Sequence, residues 1–150
     1  MLLFSISVLL KVKEDAVAIV GTRTSTQYGK RVAKILATDL SSKNVVIVSG
    51  LARGIDTMAH AATVQNQQRT IAVLGSGLDV IYSSENRKLA ESIMEKGTII
   101  SEFPIGTKPK DSNFPKRNRI INGLSHATIV VEAGKKKWSN SYCIKCSRSK

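Results

Sequence analysis

Short apolar runs that alternate with amphipathic segments predict an α/β protein with a doubly wound, mainly parallel sheet. The runs, such as residues 17–20 and 45–48, are apolar at consecutive positions. Runs of this kind are typical of parallel strands that are buried on both faces. The segments between them repeat apolar residues every three or four positions, which indicates helices covering the sheet. A Rossmann-like core of one domain fits the 150 residues.

The predicted elements follow one another in a regular order. Strands are predicted at residues 2–8, 17–20, 45–48, 70–74, 98–101 and 127–131, and helices at 28–40, 55–64, 85–95 and 116–124. Three prolines divide the long polar loop after residue 101. Pro115 suits the first turn of the last helix, because an N–H at that position has no helical partner.

The charge balance favours a polyanionic partner. Twenty-three Lys and Arg against eleven Asp and Glu give a net charge of +12 and an isoelectric point of about 10.0. Six of the basic residues and none of the acids lie in residues 135–150, so this tail carries half of the net charge. The rest of the chain keeps a moderate basic surplus, which favours nucleic acid over an acidic protein or a neutral sugar.

Several observations predict a cytoplasmic protein. Both cysteines, Cys143 and Cys146, lie in the tail, so the rest of the chain has no disulfide framework. The apolar amino end has neither a basic region before it nor a small-residue cleavage site after it, as a signal peptide would. No run approaches the ~18 apolar residues of a membrane span, so we expect no membrane partner. The two cysteines lack the second pair of ligands that a zinc site requires, and we expect no metal.

Three of the predicted strands run into glycine and a polar loop, beginning at Gly21, Gly50 and Gly75. The carboxyl ends of parallel strands share one edge of a sheet, where ligands bind. Glycine lets backbone N–H groups approach a ligand closely, and helix amino ends attract anions. We therefore expect an anion at this edge, with simple strand termination as the alternative for the glycines. Neither a dinucleotide fingerprint nor a P-loop occurs, so we expect no nucleotide cofactor.

The same loops carry cations that suit phosphate groups. Arg23 follows the first glycine, Arg53 follows the second, and a basic run at 116–119 opens the last helix. Arginine binds phosphate with two parallel hydrogen bonds, and several such residues favour an extended polyanion. The alternative is that these arginines form surface ion pairs with the acids Asp56, Asp79, Glu102 and Asp111.

Five motifs in register resemble the DNA-processing protein A (DprA, or Smf) family. They read VAIVGTRTS at 17–25, VSGLARGIDTMAH at 48–60, TIAVLGSGLD at 70–79, SEFP at 101–104 and NFPKRNRII at 113–121. The resemblance covers about residues 2–134. It implies a Rossmann-like core that binds single-stranded DNA, protects DNA taken up in natural transformation and assists loading of the recombinase RecA. It also implies a homodimer with no metal and no catalytic nucleophile.

The resemblance implies a DNA-binding pocket at positions that match the family motifs. It comprises Gly21, Thr22, Arg23, Ser49, Gly50, Arg53, Gly54, Lys116, Arg117, Asn118 and Arg119. Phe114 and Tyr82 are the aromatic residues placed to stack on bases, and local packing is the alternative for both. Asp56 and His60 share a helix face, where we expect a hydrogen bond between them that orders the helix rather than catalysis.

The sequence departs from the family at both ends. The family's small amino-terminal helical domain has no counterpart, and a stretch like K-S-G-A-L-I-T-A is expected after Gly134. Codons AAG-TGG-AGC-AAC for residues 137–140, read one base later, give AGT-GGA-GCA, which encodes Ser-Gly-Ala. We therefore expect a core at 1–134 whose sheet is incomplete on its carboxyl side, and a disordered, out-of-frame tail at 135–150.

Two other functions remain open. One is a nucleotide-processing enzyme of the phosphoribohydrolase kind, in which Glu132 would assist N-glycosidic bond cleavage. Its P-G-G-x-G-T-x-x-E signature is missing, because the corresponding region ends in Val-Val-Glu-Ala-Gly at residue 134. The other is a remnant of a decayed or split gene without activity.

Overall fold

A computed structural model describes residues 4–7 and 14–133. The predicted tail at 135–150, with both cysteines, lies outside the described residues. The strands are β1 (Phe4–Ser7), β2 (Ala16–Val20), β3 (Val46–Ser49), β4 (Thr70–Leu74), β5 (Thr98–Ser101) and β6 (Ala127–Val130). Within the described residues they form a six-stranded sheet in the order β1-β5-β4-β3-β2-β6. Strand β1 is antiparallel to β5 and every other pair is parallel, which confirms the predicted fold class.

The helices are α1 (Gln27–Ser42), α2 (Ile55–Gln65), α3 (Arg87–Lys96) and α4 (Asn113–Gly123). Three of them begin elsewhere than predicted, and α1 does so by only one residue. Helix α3 starts later because residues 84–86 form a turn of 3₁₀ helix first. Helix α4 starts three residues earlier, and Pro115 still lies in its first turn, where its missing N–H costs no helical hydrogen bond. Of the helices in the described part of the chain, none is both long and apolar enough to cross a membrane.

Alternate residues of each strand face opposite layers of helices. In β2, Ala18 and Val20 pack with Ile120 and Ile121 of α4. Ile19 of the same strand packs with α1 and α2 on the other face. A third cluster joins β4 and β5 to α3. Both faces of the inner strands are therefore covered, as the continuous apolar runs require, whereas β6 at the edge of the sheet is only partly buried.

The order of the strands creates a switch point beside β2. From β2 the chain adds β3, β4 and β5 outward in one direction, and then β6 returns to the other side of β2. Ligands of open α/β sheets bind where the strand order reverses, outside the carboxyl ends of the strands. The loop after β2, with Gly21, Thr22 and Arg23, begins at this point, and the loop after β3, with Gly50, Arg53 and Gly54, begins at the neighbouring strand.

Candidate nucleic-acid interface

The predicted site residues come from two loops and one helix at the carboxyl edge of the sheet. The loop after β2 contains Gly21, Thr22 and Arg23. Strand β3 ends at Ser49, and the loop between it and α2 contains Gly50, Arg53 and Gly54. Helix α4 contains Lys116, Arg117, Asn118 and Arg119. Backbone contacts join the loops, since the N–H of Ile55 donates to the Thr22 carbonyl at 3.3 Å. The side chains divide into an exposed set, with Arg23, Arg53, Lys116 and Arg119, and a buried set, with Ser49, Arg117 and Asn118.

Arg117 points into the protein, whereas the sequence analysis grouped it with the residues that face phosphate. It is only 3% exposed. Its guanidinium donates to the carbonyls of Gly50, at 2.6 Å, and of Val73, and lies 3.9 Å from a carboxylate oxygen of Asp56. A side chain at position 50 would collide with this guanidinium. Arg117 therefore joins the ends of β3 and β4, because its guanidinium donates to one carbonyl from each of these segments.

Two further titratable residues, Asp56 and His60, are buried near Arg117. Burial raises the pKa of Asp56, and this effect outweighs the opposing charge of Arg117 and the hydrogen bonds that Asp56 accepts. Burial and, secondarily, the Arg117 charge lower the pKa of His60 to about 3. The predicted Asp56–His60 hydrogen bond is wrong: Nδ1 of His60 lies 2.8 Å from the hydroxyl of Thr70. Since that hydroxyl donates to the Ile47 carbonyl, it accepts from His60, and the histidine is neutral and structural.

Arg23 lies against a pair of aromatic rings. Its guanidinium carbon is 4.3 Å from the centroid of Phe114 and 5.8 Å from that of Tyr82. The two rings are 5.3 Å apart and tilted by 48°. Three segments far apart in the chain therefore meet in one cation–aromatic cluster at the sheet edge. Because Tyr82 is 41% exposed, its ring is accessible from solvent.

The exposed arginines also have acidic neighbours, as the surface ion-pair alternative requires. Arg53 lies 2.9 Å from Glu85, with more than half of each side chain exposed. Arg119 contacts Glu102. Exposed pairs of this kind contribute about 0–1 kcal/mol, so a phosphate group can replace the carboxylate at small cost. Both arginines thus lie at the surface, each beside one carboxylate.

Two lysines outside the predicted site residues lie in the loop at 102–112, which the sequence indicates only as a connection between β5 and α4. Lys108 and Lys110 are both exposed in this loop. The loop is pinned beside the candidate interface: the N–H of Gly77 donates to the Thr107 carbonyl at 2.9 Å, and the N–H of Gly106 donates to Asp79 at 2.8 Å. The Lys-Pro-Lys sequence just before α4 is the signal that points to them. They extend the basic surface from Lys116 along this loop.

Comparison with known proteins decides the family. The family model for DNA recombination-mediator protein A matches residues 1–141. The chain belongs to this family. The resemblance found in the sequence motifs is thereby confirmed.

Relatives within the family share both sequence and structure with this chain. The protein Smf of Synechocystis is 52% identical over 117 residues, which cover 78% of this chain and 29% of the relative. The crystal structure of DprA from Streptococcus pneumoniae is 42% identical with a TM-score of 0.87, covering 94% of this chain and 50% of that one. The chain thus spans half or less of these two relatives.

A second solved structure of the family bears a description of its ligand. It is DprA from Helicobacter pylori, described by its unique single-stranded DNA binding mode. It is 33% identical, with a TM-score of 0.83, and the match covers 93% of this chain and 64% of that one.

Proposed function

We propose that this chain binds single-stranded DNA along the carboxyl edge of its sheet and serves DNA processing in natural transformation and recombination. The observation that carries the proposal is the cluster of Arg23 with Phe114 and Tyr82, because it sets a cation beside the accessible ring of Tyr82 and the half-buried ring of Phe114. Unpaired bases stack on such rings, while a rigid duplex keeps its bases inside. The single-stranded DNA binding of the Helicobacter pylori relative supports the same assignment.

The exposed cations of the interface are assigned to the phosphates of the DNA backbone. Phosphates are neutralised by the exposed cations Arg23, Arg53, Lys116 and Arg119, with Lys108 and Lys110 along the adjacent loop. Contacts of this type are made to the DNA backbone, so they carry no sequence preference. The mode of action is binding, and no residue of this interface serves as a nucleophile.

The partners and location belong to the same proposal. The family resemblance supports a role in protecting incoming DNA and in loading a RecA-type recombinase on it. It also supports a homodimer and a cytoplasmic location.

The test is the affinity for fluorescent oligo-dT, measured by anisotropy. Arg23→Ala should weaken binding roughly 10- to 100-fold, since a hydrogen bond to a charged group contributes about 1.5–3 kcal/mol. Lys43→Ala is the matched control, because it removes an exposed positive charge at the far end of α1. This control should bind within about twofold of the unaltered chain, as an isolated surface charge contributes little.

The basic tail is the main rival explanation of any binding, since six cations on one segment attract any polyanion. A chain truncated after Gly134 separates the two. Binding that survives truncation and depends on Arg23 supports the interface. Binding that vanishes on truncation and ignores Arg23→Ala assigns the affinity to the tail. A folded chain without any affinity would instead support the inactive remnant.

A further inference from the structure

Glu132 occupies an unusual backbone position at the switch point of the sheet. It lies two residues beyond the end of β6, and its φ of +103° lies in a region that residues with side chains rarely adopt. Its carbonyl accepts a hydrogen bond from the N–H of Thr22 at 2.8 Å. A strained residue persists only where surrounding contacts hold it in place, and such residues are concentrated at functional sites.

The side chain of Glu132 reaches the other end of the same loop. One carboxylate oxygen accepts from the N–H of Thr26 at 3.0 Å and from the Thr26 hydroxyl at 3.2 Å. That hydroxyl in turn accepts from the N–H of Gly29 at 3.0 Å, which caps α1. A side chain at position 29 would collide with the carboxylate. Glycine at this helical position therefore makes room for Glu132.

These contacts hold the loop after β2 at both of its ends. The carbonyl of Glu132 holds Thr22, its carboxylate holds Thr26, and Arg23 lies exposed between them. We propose that Glu132 is a positioning residue for single-stranded DNA binding, because it fixes the loop that presents Arg23 to the DNA backbone. This inference rests on the proposed function and adds a residue that does not touch the ligand.

The positioning role and the negative charge of Glu132 predict opposite effects of its replacement on the affinity for DNA. Glu132 is an acidic residue near a surface that binds a polyanion, so loss of its charge alone would strengthen DNA binding. A positioning role requires the opposite result for Glu132→Ala, which removes the acceptor of both Thr26 hydrogen bonds. Glu132→Gln keeps an acceptor oxygen and loses the charge, so it should bind as tightly as the unaltered chain or more tightly.

The experiment is a double-mutant cycle on the 150-residue chain with fluorescent oligo-dT as the probe. Glu132→Ala should weaken binding about five- to tenfold when Arg23 is present and less than twofold when Arg23 is replaced by alanine, because coupled residues do not act additively. Gly29→Ala should repeat the loss by displacing the carboxylate, although glycine to alanine within a helix normally stabilises it. Thermal melting of each variant shows whether that variant is folded.

Each outcome decides between the interpretations. Affinity for Glu132→Ala that equals or exceeds that of the unaltered chain overturns the positioning role, as does an equal loss in both Arg23 backgrounds. Absence of binding by the unaltered folded chain would instead refute the proposed function itself. Hydrolysis of a nucleoside monophosphate that is abolished by Glu132→Gln would assign the carboxylate to catalysis and overturn the inference.

Discussion

At the scale of single residues, Arg117 shows how a cation in a basic motif can serve stability. Lys116 and Arg119 beside it are exposed, while Arg117 turns inward to two backbone carbonyls and Asp56. The glycine at position 50 is part of the same arrangement, since any larger residue would overlap the guanidinium. The two residues therefore depend on each other although they are 67 positions apart.

Arg117→Ala should reduce the free energy of unfolding by about 3 kcal/mol. The reason is that removal of one member of a buried pair leaves the other buried without compensation. Arg119→Ala is the matched control and should change stability by less than about 1 kcal/mol, since its ion pair is exposed. Denaturant titration of both variants measures the difference. A fully stable Arg117→Ala variant would show that the buried contacts are dispensable.

The buried histidine predicts a pH dependence of stability. The folded pKa of His60, about 3, lies below its ordinary value of 6.5, so the unfolded chain binds a proton that the folded chain excludes. His60 should therefore lower stability as the pH falls from about 6.5 towards 3, by at most about 1.4 kcal/mol per pH unit. The raised pKa of Asp56 acts in the opposite direction, because the folded state then binds the extra proton.

The comparison of the unaltered chain with His60→Gln separates the two groups, because Asp56 is present in both. We expect the unaltered chain to lose stability relative to the variant as the pH falls below about 6. Denaturant titrations at several pH values give the two curves. Parallel curves would mean that His60 does not exclude a proton in the folded state.

At the scale of secondary-structure elements, the amino end of α4 combines two kinds of contact. In the proposed interface Phe114 would stack on bases and Lys116, two positions later on the same helix, would contact phosphates. The salt dependence of binding distinguishes these roles, because only the loss of a phosphate contact reduces counterion release.

Phe114→Ala should weaken binding to oligo-dT about tenfold at every salt concentration, since stacking contributes about 1–3 kcal/mol per base. Lys116→Ala should instead reduce the slope of log affinity against log salt by about 0.7. Anisotropy titrations over a range of salt concentrations measure both quantities. An unchanged slope for Lys116→Ala would remove this lysine from the phosphate contacts, and unchanged affinity for Phe114→Ala would exclude stacking on its ring.

At the scale of the whole molecule, the chain spans only part of its relatives: 29% of the Synechocystis protein, 50% of the Streptococcus pneumoniae chain and 64% of the Helicobacter pylori chain. The match to the family model ends at residue 141, seven residues beyond Gly134, after which the sequence departs from the family motifs. The nucleotide sequence of the gene tests the frame-shift interpretation directly. We expect the reading frame one base over, beyond codon 134, to encode Ser-Gly-Ala and then a helix-forming segment. Early stop codons in that frame would mean that the basic tail is genuine.

The sequence alone was enough to predict the α/β class, the strand positions to within a few residues and the edge that carries the basic loops. These features depend on local patterns: apolar runs, glycines after strands and helical periodicity. The family motifs are also local, because each is a run of consecutive residues. For this reason the predicted strands at 70–74 and 98–101 match β4 and β5 exactly in their bounds.

Only the tertiary structure determines which way the side chains of the candidate interface face. Arg117 is buried while its neighbours are exposed, Arg23 lies on Phe114, and Glu132 holds a loop 106 positions earlier in the chain. A sequence motif specifies residue types and spacing, yet burial and hydrogen bonding depend on residues brought together from distant segments. Arginine can satisfy either phosphate or buried carbonyls with the same donors, so only the packing around each one determines its role.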